Sequence, residues 1–429
     1  MDNPSMPVGR NTPLITATLI AGILIGVAAA YLTPIAPLQA KTVTLNSTTV
    51  VTRTVAITEM AQATTKTEIV TVTLRELTTK TFSPLPQVPL RLEVKYSRQF
   101  EVLLINGYKV VKDALNRTLI LVPRGFQPPK DLEGTVVYTP VERVALMSAT
   151  QVALIERLKE KEPQILERVA GIMWGEQYEW YFSDLEERLM SGKIKDLGPD
   201  YSPSIEELVA LKPDLVIIYT FPGSDFPQRL EELGIPFVVD NEYLETSPLA
   251  RFEWIKLIAT FFDLDEEAFS IFRDVENRVS EVVGDVETSG ATSPLVCWFM
   301  VYRGVVYAAG GKSFPANALN MLRARYAFTD AGSTGSVTVN IEEVLNRCKD
   351  ADVVVYPTSF VSGVSDILSE APELGELKAF KERRVYAYAP SVFQLGYYDT
   401  EGWVKDLASI LYPNLYPGYE PKYFVRLGG

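Results

Sequence analysis

From Val141 onward the chain alternates short, unbroken apolar runs with amphipathic segments of helical spacing. An apolar run without polar alternation reads as a strand covered on both faces. A helix-length segment between two such runs is long enough to cross from one parallel strand to the next. "RVALMS", "RVAGIMW", "DLVIIYT" and "PFVVDN" are the strands, and "ATQVALIERLKEKEP", "IEELVALK" and "FPQRLEELG" are the helices between them. In the first helix Val152, Leu154, Ile155 and Leu158 lie near one face. The pattern predicts a parallel sheet with helices on both sides.

The alternation stops at Pro248. Up to about Val286 the chain reads as almost wholly helical, with a second start signal at "DLDEE" and Asp265 as its expected cap. Strands then resume with "SPLVCWFMVY", "DVVVYPT" and "VYAYAP", separated by "FPANALNMLRARY", "IEEVLNRCKDA" and "ELKAFKERR", and "TEGWVKDLASILYP" closes as a helix. The chain thus writes one helix-to-strand passage twice, "IEELVALKPDLVIIYT" from Ile205 and "IEEVLNRCKDADVVVYPT" from Ile341. The expected fold class is α/β: two Rossmann-like lobes joined by a long inter-lobe helix, preceded by a membrane anchor and a β-rich stalk. The expected boundaries are 1–40 for the anchor or signal, 41–137 for the stalk and a small β-rich lead-in, 138–247 for the first lobe, 248–286 for the inter-lobe helices and 287–429 for the second lobe.

Leu14 to Thr33 carries no charge and is about 20 residues long, one bilayer thickness of helix. Arg10 precedes it closely, which favours an uncleaved anchor with the bulk of the chain outside. The rival is a cleavable signal peptide ending near "PLQA". No cysteine follows the apolar run, so lipid attachment there is excluded. Lys41 to about Thr81 is rich in Thr and Val and reads as an extended stalk. Asn46 and Asn116 fit the N-glycosylation pattern, which matters only in an exported chain. Strands with turns at Asn106-Gly107 and near Asn116 complete the lead-in.

A formal charge of −13 argues against a nucleic-acid partner, since phosphate binding needs clustered Lys and Arg. There is no histidine, which removes the usual metal ligand, the usual haem ligand and the hydrolytic triads. Cys297 and Cys348 are too few for a disulfide framework; they read as buried small apolar residues, with a disulfide as the alternative. "AAGGKS" at Ala308–Ser313 has the end of a phosphate loop, but Val306 stands where its first glycine belongs. No enzyme signature survives, and no intrinsic cofactor or metal site is expected.

"VERVALMSATQVALIERL", "SPSIEELVALKPDLVIIY", "LEELGIPFVV", "FEWIKLIATFF" and "LKAFKERRVYAY" together resemble the helix-linked substrate-binding proteins of ABC importers, which serve uptake of iron–siderophores, haem and cobalamin. The resemblance covers roughly Tyr138 to Pro413. It implies two lobes facing across a cleft, an ABC permease dimer with its ATPase as partner, and a chelate as cargo. It also implies one acidic docking residue per lobe, at Glu206 and Glu342, although Glu is common in any helix's first turn.

Ligands of open α/β sheets sit beyond the carboxyl ends of the strands. The residues there are Ser148, Trp174, Tyr178, Trp180, Tyr219 and Asn241 in the first lobe, and Tyr302, Arg303, Tyr307, Tyr356, Gln394 and Tyr397 in the second. Aromatic groups with few charges suit a large, partly apolar ligand, and Arg303 suits an anionic chelate. An Fe(III) chelate leads; haem held by Tyr, and cobalamin, are alternatives. So is a surface or adhesion module that keeps the fold without a ligand.

Overall fold

The computed structural model describes residues 53–61, 64–72, 90–199 and 201–428. The Leu14–Thr33 segment, its rival cleavage site and Asn46 lie outside the described residues. Among the described residues no helix is long and apolar enough to cross a membrane.

The first lobe matches the alternation. Its sheet has the order Lys195–Asp196, Val169–Ile172, Val144–Leu146, Leu215–Ile218, Phe237–Val239, with every pairing parallel. The four longer strands are buried at every position, as unbroken apolar runs require. Helix Ala149–Leu158 departs from the amphipathic expectation, for all ten of its residues are buried. One side meets the first lobe; the others meet Trp254–Thr260, Asp265–Thr288 and Leu395–Tyr398 of the linker and second lobe. Periodicity reports only the face that a helix turns to its own sheet.

The second lobe differs from a purely parallel expectation. Its seven-stranded sheet runs Ser336–Val339, Val305–Ala309, Leu295–Tyr302, Val353–Tyr356, Val385–Tyr388, Phe424–Arg426, with Arg325–Tyr326 also on Leu295–Tyr302. The central pairs are parallel, and Val305–Ala309, Ser336–Val339 and Phe424–Arg426 pair antiparallel. The eight-residue strand Leu295–Tyr302 is long enough to pair parallel at its start and antiparallel at its end. Its hairpin turns at Arg303 and Gly304, both left-handed (φ 52° and 74°), the geometry that matches strand twist in a two-residue loop.

The inter-lobe segment is three helices, Pro248–Phe252, Trp254–Thr260 and Asp265–Thr288. Asp265 is the first helical residue rather than the cap; its carboxylate accepts from the Thr260 hydroxyl at 2.7 Å and pairs with Lys109. The lead-in is a five-stranded sheet, Leu90–Arg91 to Thr135–Thr139. It is fastened to the linker. Three successive amides, of Lys95, Tyr96 and Ser97, donate to the Glu253 carboxylate at 2.8, 2.6 and 2.8 Å, and Lys256 pairs with the same group at 2.8 Å. Ala114 also donates its amide to Val239 at 3.3 Å, on the first lobe's edge strand. Arg53–Ala61 and Thr64–Val72, expected as plain stalk, form an antiparallel hairpin.

Cys297 and Cys348 are bonded as a disulfide, the alternative rather than the leading reading. It ties strand Leu295–Tyr302 to helix Ile341–Cys348 beneath the sheet, with both residues fully buried. A single apolar core runs from the lead-in (Phe100, Leu119) through the linker (Trp254, Phe272) into the second lobe (Trp298, Phe424). A smaller cluster, with Phe237 and Leu208, covers the other face of the first sheet.

Candidate functional site at the lobe seam

The predicted residues fall into three groups. The first is an aromatic surface on the first lobe. Trp174 follows strand Val169–Ile172 with φ 55°, held by its amide donating to Gly198 at 2.9 Å. A left-handed tryptophan is uncommon and turns its ring out of the strand line. It stacks on Tyr178 at 5.7 Å and meets Tyr201 edge-on at 5.6 Å. Tyr219 meets Tyr243 edge-on at 6.1 Å, and Phe221 lies beside it at 6.2 Å. Tyr178, Tyr201, Phe221 and Tyr243 remain exposed.

The second group lies on the second lobe's hairpin. Tyr302, Arg303 and Tyr307 are exposed, with the Arg303 guanidinium 5.1 Å from the Tyr302 ring.

The third group serves the framework. Ser148 caps Ala149–Leu158, accepting from the Thr150 amide at 3.1 Å. Trp180 is buried, its indole donating to the Gly175 carbonyl at 3.2 Å. Asn241 is buried and accepts from the Thr220 amide at 2.8 Å. Tyr356 is buried inside its lobe, where its hydroxyl accepts from the Val301 amide and donates to the Val301 carbonyl, both at 3.0 Å. Gln394 crosses the seam: it accepts from the Tyr181 amide at 3.0 Å and donates to the Glu179 carbonyl at 2.8 Å.

Tyr397 leads to a recess that no local sequence pattern marks. It is small, about 50 Å³, and Arg251, Phe314, Tyr388, Phe393, Tyr397 and Trp403 line it. Arg251 comes from the first linker helix, the others from the second lobe, so the recess lies at the lobe junction. The guanidinium stacks 3.9 Å over Phe314. It donates to the Tyr397 hydroxyl at 2.9 Å and to the carbonyls of Tyr243 at 2.8 Å and Glu245 at 3.3 Å. The one hint was a basic residue in the otherwise apolar "PLARF". Behind Arg251 lie two buried acids, Asp240 and Glu242. Burial pushes both carboxyls above the usual range. For Asp240 the neighbouring Glu242 adds to the shift, whereas Arg251 moderates that of Glu242. Burial likewise raises the Tyr397 phenol.

Around the recess the lobes are tied by charge. Glu401 of helix Thr400–Leu411 takes Arg157 of the first lobe at 2.7 Å and Arg278 of the long linker helix at 3.1 Å. The "GGKS" stretch has no free amides for a phosphate: those of Gly310, Gly311 and Lys312 donate to Gly335, Ala331 and Ser333. A Cβ on Gly311 would stand 2.2 Å from the Thr329 carbonyl oxygen, so the glycines serve close packing.

Glu206 and Glu342 are exposed in the first turns of Ile205–Leu211 and Ile341–Cys348, whose caps are Ser204 and Asn340. Each helix feeds a central parallel strand, so its N-terminus lies level with the strands' carboxyl ends.

Two α/β sheets held by a helical linker, with an aromatic recess at their junction, define a two-lobed solute-binding protein. The chain belongs to the periplasmic binding protein family, whose model matches residues 169–392, just over half of it. The family consists of binding proteins, not enzymes. An uncharacterised lipoprotein of Methanocaldococcus jannaschii is 32% identical over 327 residues, 74% of this chain and 78% of the relative. Among solved structures, a possible iron-binding (periplasmic solute-binding) protein of Staphylococcus epidermidis aligns with TM-score 0.51 and 18% identity, over 64% of this chain and 100% of its own. A periplasmic haem-binding protein of Pseudomonas aeruginosa aligns with TM-score 0.51 and 17% identity, over 67% and 99%. At such identity these two establish the fold.

Proposed function

We propose that this chain is the extracytoplasmic receptor of an ABC importer, which captures an iron chelate between its lobes and delivers it to a permease dimer driven by its ATPase. The observation that carries the reading is the recess at the lobe junction. A cationic group and five aromatic rings meet there, and Tyr219 packs against Tyr243, whose carbonyl accepts from the same Arg251. Flat or partly apolar chelates gain from ring contact, and chelates with acidic groups gain from the guanidinium. The internal disulfide suits an oxidising compartment. The lipoprotein name of the archaeal relative supports membrane association. This chain's first cysteine is Cys297, so its own attachment rests on the Leu14–Thr33 segment. Glu206 and Glu342 are the docking residues in this reading.

Haem is the second reading, favoured by the haem-binding structural neighbour. With no histidine in the chain, its iron would be held by a tyrosine, and the exposure of Tyr302 and Tyr307 supports these two as candidates. Quenching of tryptophan fluorescence by ferric chelates, haemin and cyanocobalamin tests these readings. Saturable quenching by one class, weakened by Trp174→Ala in a protein that still melts cooperatively, is the expected outcome. Silence toward all three would leave the surface-module reading.

A further inference from the structure

The turn Asp113–Arg117 joins strands Tyr108–Lys112 and Thr118–Pro123 of the lead-in. The Asp113 carboxylate organises it, accepting from the amides of Leu115 at 3.0 Å and Arg117 at 2.9 Å, and the Asn116 amide donates to the Asp113 carbonyl at 2.8 Å. Arg117 turns inward. Its guanidinium stacks 3.5 Å over the Phe237 ring and donates to the Phe237 carbonyl at 3.1 Å, on the first lobe's edge strand. Leu115 and Asn116 are left outside, both exposed.

Asn116 has φ 58°, a conformation that asparagine takes more readily than other residues with a Cβ. The lead-in holds a second left-handed asparagine for comparison. Asn106, at φ 52°, donates its side-chain amide to the Asp131 carboxylate at 2.8 Å, and no serine or threonine stands two positions on. Asn116 has no side-chain hydrogen bond among the described residues. Thr118 stands two positions on, and neither Arg117 nor Leu119 is proline. The asparagine with a free amide is thus the one that satisfies the glycosylation pattern.

We propose that Asn116 carries an N-linked glycan. The proposal rests on the extracytoplasmic reading, because only an exported chain meets the machinery. The Asn116 amide nitrogen forms a bond to the anomeric carbon of a sugar. The donor is an oligosaccharide carried on a lipid phosphate and brought by a transferase of the exporting membrane. The bond from sugar to phosphate oxygen breaks, the lipid phosphate leaves with the electron pair, and the amide proton passes to a base of the transferase. The Thr118 hydroxyl is the second group that such a transferase reads. In the folded chain that hydroxyl accepts from Lys112 and its residue is paired in the strand, so transfer belongs to the stage before the hairpin closes. The finished fold has only to leave the sugar room, and the exposed, unbonded side chain does so. A bulky hydrophilic group there covers Leu115, apolar surface at the turn's tip. The turn shares no residue with the recess, the aromatic surface or Glu206 and Glu342, so an occupied site leaves capture and docking free.

The test uses the full chain expressed in its source cells. A membrane-impermeant biotinylating reagent, applied to intact cells, marks chains that have been exported. The marked chain is purified, denatured and cut with trypsin, which releases Asp113–Arg117, and the peptide is read by mass spectrometry with electron-transfer fragmentation. Carbohydrate on Asn116 is expected. Asn116→Gln and Thr118→Val should each lose it completely, the valine keeping the β-branched shape without the hydroxyl, and Thr118→Ser should retain it. An unmodified peptide from the marked wild-type chain overturns the proposal and leaves export standing. Carbohydrate that survives Thr118→Val also overturns it, since attachment would then ignore the pattern. If the reagent never reaches the chain, export and the glycan fall together.

Discussion

Two residues show how far side-chain type foretells role. Tyr356 ends its apolar run as Tyr219 does, yet its hydroxyl is spent on both backbone groups of Val301. Tyr356→Phe should therefore lower stability by about 1 kcal/mol, the net worth of a hydrogen bond, and leave ligand affinity unchanged; urea melts and a titration check both. Glu242 is the reverse, a residue of ordinary appearance in "DNEYLE" that the fold buries beside Asp240 and Arg251. Its carboxyl value is raised in the folded state, so the folded protein holds the proton more tightly than the unfolded chain. Stability from this group is then fully present at low pH and declines as pH climbs from the ordinary carboxylate range through the raised value. Glu242→Gln should accordingly stabilise the protein more at alkaline than at acid pH, in denaturant melts at the two ends of its folded range.

At the scale of elements, the two Ile-Glu-Glu helices were legible because capping, apolar face and following strand all lie within a few neighbouring residues. Ser204 and Asn340 cap them and buried runs follow, as the pattern demands. The antiparallel additions to the second sheet were not legible. "VVYAA" and "SVTV" are short, half-exposed runs whose partners are set by a hairpin and by a distant loop. The disulfide belongs to the same scale. It closes a loop with a sequence separation of 51 residues, for which chain entropy predicts about 4 kcal/mol. The double substitution Cys297→Ala, Cys348→Ala should lower unfolding free energy by about 2–4 kcal/mol in urea melts, and reductant should reproduce the loss only once the protein is partly unfolded, since both sulfurs are buried.

Across the whole molecule, the lead-in, the linker and both lobes share one apolar core, and Glu401 binds arginines of the first lobe and the long linker helix at once. Such a seam favours small adjustments over a wide hinge motion. Loading and docking are then separable. Glu206→Lys with Glu342→Lys should abolish uptake by cells while solute affinity of the purified protein is kept; transport at the normal rate would refute docking through these residues. Glu253 supplies the corresponding test of the lead-in. Glu253→Gln should destabilise the chain by about 2–3 kcal/mol, because three amides lose a charged acceptor inside the protein, and limited proteolysis should then release the lead-in first.

Sequence alone determined the two α/β lobes, the helical joint between them and the surfaces beyond the strand ends, because each follows from short-range periodicity, capping and the covering of apolar strands. Tertiary structure alone decided that Arg251 meets Tyr397 at one recess, and that Trp180, Asn241 and Tyr356 are buried with their polar groups bonded inside the protein. The reason is distance along the chain. The environment of a charged or aromatic side chain is made by segments 100 residues or more away, such as Tyr397 against Arg251, separated by 146 positions, and no local pattern encodes that meeting.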